Sequence, residues 1–300
     1  MRLAFFGTPS DAVPALHALH AAGHDIPIVV SQPDRRRGRG TAEIASPVKI
    51  AAVELGLVVR TPERSSEVID DVIASGVELG VVIAFGQLLP VALLDAVPHG
   101  FVNVHFSVLP RWRGAAPVER AILAGDRETG VCIMALEAGL DTGPVYARAT
   151  TPIAPDETAG ELRARLVELG TDLLLTTVPE VATRIPEPQV GEPSYAEKLT
   201  VEEFALDWSR PASELARVVR AGNPRPGAWT VDHGRRVKVW RARAHEAQAH
   251  EPPGRIDERG MVVTGAGRLE LVEVQPEGKR PMPAPAWLAG RRDTAVGLGS

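Results

Sequence analysis

Over its first two hundred residues the chain repeats one pattern: a short, nearly unbroken apolar run, a turn, then a stretch with helical spacing. The runs fall at residues 3–6, 26–31, 57–60, 79–84 and 101–106. A strand with one wet face alternates apolar and polar residues, whereas a strand covered on both faces is apolar throughout. The pattern therefore predicts an α/β fold, a Rossmann-like, doubly wound, mostly parallel sheet with helices on both sides. Residues 131–136 and 145–153 add two more strands, and 156–183 read as one long helix. Ser10 or Asp11 is placed to cap the first helix and Gly23 to stop it. Ser46-Pro47 opens the second, with Ser as N-cap and Pro at the first helical position, where a missing N–H costs nothing.

At 300 residues the chain is too long for a single core. Residues 184–207 are rich in Pro and Glu and read as a linker between a first domain at 1–183 and a second at 208–300. After one more helix at 211–221, short strand-like runs at 237–241, 261–264 and 269–274 alternate with Gly, Pro and Asp. That pattern predicts a small all-β, OB-like barrel. Charge divides along the same line. From residue 205 onward there are 16 Lys+Arg against 11 Asp+Glu, which leaves 17 against 27 before it. Trp208, Trp229, Trp240 and Trp287 also lie in the last third. A basic, Trp-rich module beside an acidic one suits a polyanionic partner. Cys132 is the single cysteine, so neither an internal disulfide nor a multi-cysteine metal site is available, and the lone thiol suits a reducing compartment. No apolar run reaches the ~20 residues of a membrane span, and the amino terminus lacks the pattern of a secretory signal. A soluble, cytoplasmic monomer is expected.

Several motifs are excluded by their details. Gly7-Thr8-Pro9-Ser10 follows the first strand but is neither G-x-G-x-x-G nor a Walker sequence, and Gly38-Arg39-Gly40 neither follows a strand directly nor opens a helix. His17, His20 and His24 resemble a metal comb, yet Gly23 ends the helix before His24 and no carboxylate joins them, so no metal is expected. Phe101-Val-Asn-Val-His105 is the most informative stretch. Residues two apart on a strand face one side, so Asn103 and His105 project together from an otherwise apolar segment, and a buried polar pair demands partners. Residues 107–114 leave the carboxyl end of that strand, where open α/β sheets place ligands. Asp141, in the glycine-flanked run Ala138-Gly-Leu-Asp-Thr-Gly143 after another strand, completes a credible catalytic trio on neighbouring strand ends. Ser107 beside His105 invites a hydrolase reading, but the G-x-S-x-G elbow is absent.

Asn103-x-His105, the run SVLPRWRGAAP at 107–117 and Asp141 in AGLDTGP resemble the formyltransferases that use 10-formyltetrahydrofolate. Within that superfamily the chain is most similar to the methionyl-tRNA formyltransferase family. The insertion at 32–49, the run at 223–229 and Gly278-Lys-Arg-Pro-Met282 carry the narrower resemblance, which spans nearly the whole chain. Val108 stands where that family usually has Leu, Phe85 where it usually has Tyr, and Gly222 where a bulkier residue is common. The resemblance implies transfer of a formyl group from folate N10 to the α-amine of initiator methionyl-tRNA, without a metal. The attack leaves an anionic oxygen on a tetrahedral carbon, and donors already in place stabilise it. Asn103 and His105 would be those donors, and Asp141 would orient the imidazole and favour its charged form. The pterin would lie against residues 84–90, including Phe85, Gln87 and Leu88, and against the loop before Asp141, held largely by backbone groups. Ser107, Val108, Leu109 and Pro110 would close the site near the formyl group.

The insertion carries Arg35, Arg36, Arg37, Arg39 and Lys49 against Asp34 and Glu43. Arginines grip phosphates and stack on unpaired bases. Arg235, Arg236, Lys238 and Arg241, with Lys279 and Arg280, would form a second contact area for tRNA. Two alternatives stand beside this reading. A sibling enzyme acting on an amino sugar or a purine precursor shares the trio, and a non-catalytic RNA-binding protein would share the fold.

Overall fold

The computed structural model of the chain describes residues 1–36, 43–247, 251–290 and 297–299. Two compact units emerge. The first comprises Met1–Gly114, Thr129–Thr151 and Ala164–Tyr195, and the second Ala115–Glu128, Pro152–Arg163 and Ala196–Ser300. The segment at 184–207 is thus shared between them, changing hands after Tyr195.

In chain order the elements used below are β1 (Arg2–Gly7), α1 (Val13–Ala21), β2 (Asp25–Val30), α2 (Pro47–Glu54), β3 (Val59–Arg60), β4 (Leu79–Ile83), β5 (Phe101–His105), α3 (Pro117–Ala124), β6 (Glu128–Ala135), β7 (Val145–Pro152), α4 (Ala159–Thr177), α5 (Ala212–Gly222), β8 (Ala228–Asp232), β9 (Arg235–His245), β10 (Met261–Val263), β11 (Arg268–Pro276) and β12 (Met282–Pro283).

The sheet of the first unit runs β7-β6-β5-β4-β1-β2-β3. Pairings β1–β2, β1–β4, β2–β3 and β4–β5 are parallel. Successive strands depart from β1 in opposite directions, so the crevice of a doubly wound fold opens at the carboxyl ends of β1 and β4. All five residues of β4 are buried, as a strand covered on both faces requires. On one face Phe6 meets Phe85 and Phe101 edge to face, with centroids 5.4 and 5.5 Å away. On the other, a Cβ at Gly170 of α4 would stand 2.9 Å from Val104 Cγ1 and 3.2 Å from Val131 Cγ1. Only a glycine lets that turn of the helix approach β5 and β6 so closely.

Local chemistry explains the helix ends. Ser46 Oγ accepts from Lys49 N at 3.0 Å, with Pro47 at the first helical position, as expected for α2. The first helix differs from expectation. Residues Ser10–Ala12 form a 3₁₀ turn and α1 starts one step later, with no side chain capping it. A larger difference concerns β6, which pairs antiparallel with β5: Val102 faces Ala135 and His105 faces Cys132. A run buried on both faces reads alike in either direction, so the amino-acid pattern does not reveal this reversal.

In the second unit β8, β9, β11 and β10 form an antiparallel sheet in that order, with β12 on β11. The fully buried ring of Phe204 occupies the space beside Gly222, where a Cβ would meet it at 2.8 Å. A capping box starts α4: Glu161 Oε2 accepts from Thr158 N at 2.9 Å, and Thr158 Oγ1 accepts from Glu161 N at 3.3 Å. Arg241 of β9 donates to the same carboxylate at 2.8 Å. Among the described residues no helix is long and apolar enough to cross a membrane.

Candidate active site

Asn103 and His105 share one face of β5, and both ring nitrogens of His105 are engaged. Nε2 lies 2.9 Å from the carbonyl oxygen of Trp112. A carbonyl only accepts, so Nε2 carries a proton and donates. Nδ1 lies 3.6 Å from Asp141 Oδ2, with the two side chains only 6% and 12% exposed. Asn103 is half-buried, and its side-chain amide makes no hydrogen bond among the described residues. The amide is therefore open to solvent and free to meet a ligand.

Asp141 reaches His105 by a route that the sequence does not display. Because β6 is antiparallel, Leu136 leaves it beside the start of β5, donating its N–H to Phe101 O at 2.8 Å. Residues 136–144 must therefore turn back along β5 before β7 begins, which corrects the expectation that the trio sits on neighbouring strand ends. The return is tight. A Cβ at Gly143 would overlap the Ala135 carbonyl oxygen, and Asp141 takes a left-handed conformation with φ +50°. Aspartate tolerates that region better than most residues, but not freely. Three hydrogen bonds hold it. Gly114 N donates to Asp141 Oδ2 at 2.7 Å, and Gln189 Nε2 donates to the carbonyls of Asp141 and Gly143, each at 2.8 Å.

The run after β5 is fastened by its own polar groups. Ser107 is fully buried and its hydroxyl donates to Arg111 O at 2.6 Å, so it stands as a turn-closing residue rather than a free nucleophile. Leu109 is buried and its N–H donates to Cys132 Sγ at 3.4 Å, while Val108 and Pro110 are half-buried. Burial pushes the Cys132 thiol up from its ordinary range, which keeps it protonated and inert. In the loop after β4, the Phe85 ring belongs to the core, and its carbonyl accepts from Thr8 Oγ1 at 2.8 Å and Gln32 Nε2 at 2.9 Å. Gln87 Nε2 donates to Pro62 O at 3.3 Å, and Leu88 is 83% exposed. Of the three, Leu88 alone presents its side chain freely. Among the described residues no group of three His, Cys, Asp or Glu is placed to hold a metal ion.

The basic residues are dispersed and partly committed. Arg37 and Arg39 lie outside the described residues. The backbone of Arg35 and Arg36 pairs antiparallel with Ile44 and Glu43. Lys49 Nζ is 2.6 Å from Asp34 Oδ2. In the second unit Arg235, Arg236, Arg241, Lys279 and Arg280 are exposed. The Arg236 guanidinium stacks 3.8 Å from the centre of the Trp229 ring, and Lys238 Nζ stands 5.1 Å from that of Trp240 while donating to Pro226 O. Trp208 and Trp287 are buried and serve the core. Arg241 is paired with Glu161. Sequence reasoning missed Gln189, Trp112 and Gly114. The last two act through backbone atoms, and Gln189 lies in what reads as a linker.

The family profile described as formyl transferase matches residues 1–178, and that described as formyl transferase, C-terminal domain, matches 198–292. Methionyl-tRNA formyltransferases of Cereibacter sphaeroides and Paracoccus denitrificans are each 47% identical to this chain, the first over 97% of it and 96% of the relative, the second over 97% of both. Among solved structures, the sugar 3N-formyl transferase WlaRD, in the presence of dTDP and 5-N-formyl-THF, aligns with a TM-score of 0.69 at 16% identity, covering 93% of this chain and 99% of its own. At that identity the likeness concerns the fold.

Proposed function

Because the chain belongs to the methionyl-tRNA formyltransferase family of the formyl transferases, we propose that it transfers the formyl group of 10-formyltetrahydrofolate to the α-amine of initiator methionyl-tRNA. The donor supplies an activated formyl group on N10; the chain's residues supply position, charge and proton management. The residues present fit such a donor. The observation that carries the chemistry is the partnerless Asn103 amide beside His105, at the carboxyl ends of the central strands. Asn103 donates to the formyl oxygen as negative charge gathers there, an interaction whose loss typically costs about 2.7–4 kcal/mol. His105 has committed Nε2 to Trp112, so Nδ1 is the ring atom that takes the proton from the attacking amine. Asp141, 3.6 Å away, stabilises the ring while it holds that proton, which passes to N10 as the bond from the formyl carbon to N10 breaks and tetrahydrofolate leaves. The pterin lies against residues 84–90, with backbone groups and Leu88 available, and 107–110 flank the formyl group. The exposed cations of the second unit and the arginine-rich insertion receive the tRNA. The enzyme works as a cytoplasmic monomer, where translation begins.

A sibling that formylates an amino sugar shares the fold, as the WlaRD likeness illustrates. The 47% identity over nearly the whole chain to relatives named for methionyl-tRNA favours the tRNA reading. Labelled 10-formyltetrahydrofolate offered with charged initiator tRNA, and separately with nucleotide-linked amino sugars, decides between them. Label is expected on methionyl-tRNA; label on the sugar alone overturns the reading.

A further inference from the structure

Gln189 belongs to a stretch that no regular element contains, yet its carboxamide sits at the centre of the Asp141 loop. Its Nε2 donates to the carbonyls of both Asp141 and Gly143, and its Oε1 accepts from Arg113 Nε at 3.1 Å and Nη2 at 2.6 Å. All four hydrogen-bonding opportunities of the carboxamide are thereby used, two as donor and two as acceptor. The backbone on either side is fastened too. Glu187 exchanges two hydrogen bonds with Val145, the first residue of β7, at 2.7 and 2.9 Å. Flanking Pro186 and Pro188 restrict the backbone there. Further on, Ser194 O accepts from Arg113 N at 2.8 Å and Ser194 Oγ accepts from Trp112 N at 2.9 Å. Residues 187–194 thus tie the loop carrying Asp141 to the loop whose Trp112 carbonyl and Gly114 N–H hold His105 and Asp141. One strap fastens both partners of the imidazole.

We infer that Gln189 is a positioning residue for formyl transfer, holding the left-handed turn at Asp141 so that its carboxylate stays beside His105 Nδ1. Asp141 occupies an unfavoured φ, and its loop makes a return too tight for a Cβ at Gly143. Such a turn persists only where its surroundings over-determine it. Gln189 supplies two of the three described bonds to the 141–143 turn, and the third, from Gly114, reaches the carboxylate itself. The inference rests on the proposed function for its kinetic arm and on the fold alone for its structural arm.

The test compares Gln189→Glu with Gln189→Met. Glu keeps the shape and the bond to Arg113 but turns the two donors into acceptors facing carbonyls; Met keeps the length and loses every bond. Both variants are expected to lower kcat by about tenfold or more with KM for 10-formyltetrahydrofolate changed less than about threefold, since misplacement of about 1 Å costs up to 10² in rate. Gln189→Met added to Asp141→Asn should cost little beyond Asp141→Asn alone, because residues acting through one another are not additive. Exchange of the Gly114 amide, which is bonded to the Asp141 carboxylate, should quicken by at least about tenfold in both variants, whatever acceptor the enzyme uses. If Gln189→Glu turns over normally, or the double variant loses a further tenfold, Gln189 does not act through Asp141. Unchanged exchange with normal melting overturns the inference on structural grounds, and a variant that melts early is judged by its partner substitution. A wild-type chain that formylates no methionyl-tRNA, while exchange of the Gly114 amide responds to the variants as expected, refutes the function and leaves the positioning of Asp141 standing.

Discussion

Between Trp112 and Asp141 the imidazole of His105 has one nitrogen spent and one exposed to a carboxylate, and the consequences differ by substitution. On the proposed mechanism His105→Ala removes the proton carrier, and Asn103→Ala removes the unpartnered donor. Each is expected to lower turnover by ~10²-fold or more. Asn103→Ala should melt near the parent, because its side chain makes no hydrogen bond among the described residues, whereas His105→Ala also gives up the bond to Trp112 O and should melt somewhat lower without unfolding at assay temperature. Steady-state rates beside thermal melts check this; an active variant, or one inactive only through unfolding, refutes it. Asp141→Asn is subtler. Its amide oxygen can take the place of Oδ2, still accepting from Gly114 N–H and still facing Nδ1, with the NH₂ where Oδ1 was. What is lost is the charge: a neutral amide oxygen no longer offsets a proton on the ring. Turnover should fall severely with folate binding largely kept, read by titrating the folate against the variant.

At the scale of the element, the start of α4 carries a test of stability against pH. The Glu161 carboxylate accepts from Thr158 N, Thr158 Oγ1 and Arg241, which together hold its pKa at about 2 instead of 4.5. A carboxyl whose folded pKa is depressed contributes stability above its unfolded value and loses it as pH falls through the folded one. Wild type should therefore exceed Glu161→Gln in melting temperature at pH 6, and the gap should close between pH 4.5 and about 2. The side chain is half exposed, so solvent screening keeps the gap small. A gap that stays constant with pH refutes the account. Elements also mark where sequence is legible. Ser46-Pro47 announces the start of α2, and the alternation at 101–105 announces that Asn103 and His105 face one way, because both signals are local. The direction of β6 is silent, since Val131, Cys132, Ile133 and Met134 are buried whichever way the strand runs. Gln189 is silent for another reason. Its partners are 46, 48 and 76 residues away along the chain, and no local spacing encodes such contacts.

For the whole molecule the governing fact is the division of charge, acidic before residue 205 and basic after it. A polyanion is repelled by the first part as a whole and must be drawn in locally. Not every cation is free for that work. Arg241 and Lys49 already face carboxylates, whereas Arg235, Lys279 and Arg280 are exposed and Arg236 is spread over Trp229. Counterion release makes affinity fall with salt in proportion to the phosphates neutralised. Arg235→Ala with Arg236→Ala and Lys238→Ala, and separately Ala at Arg35, Arg36, Arg37 and Arg39, should each weaken tRNA binding and flatten its salt dependence, with folate binding spared. Binding measured from low to high salt for the parent and both variants checks this, and three equal slopes refute it.

The strap at 187–194 bears on how the enzyme comes into being. Synthesis delivers Asn103 and His105 first, Asp141 some forty residues later, and Gln189 almost fifty after that. A fragment cut after α4, at Thr177, owns the three groups proposed to react and lacks the glutamine proposed to hold one of them still. One cut after Tyr195 owns both. On the proposed roles, a nascent chain carries the groups of the reaction well before it carries the glutamine that holds one of them in place.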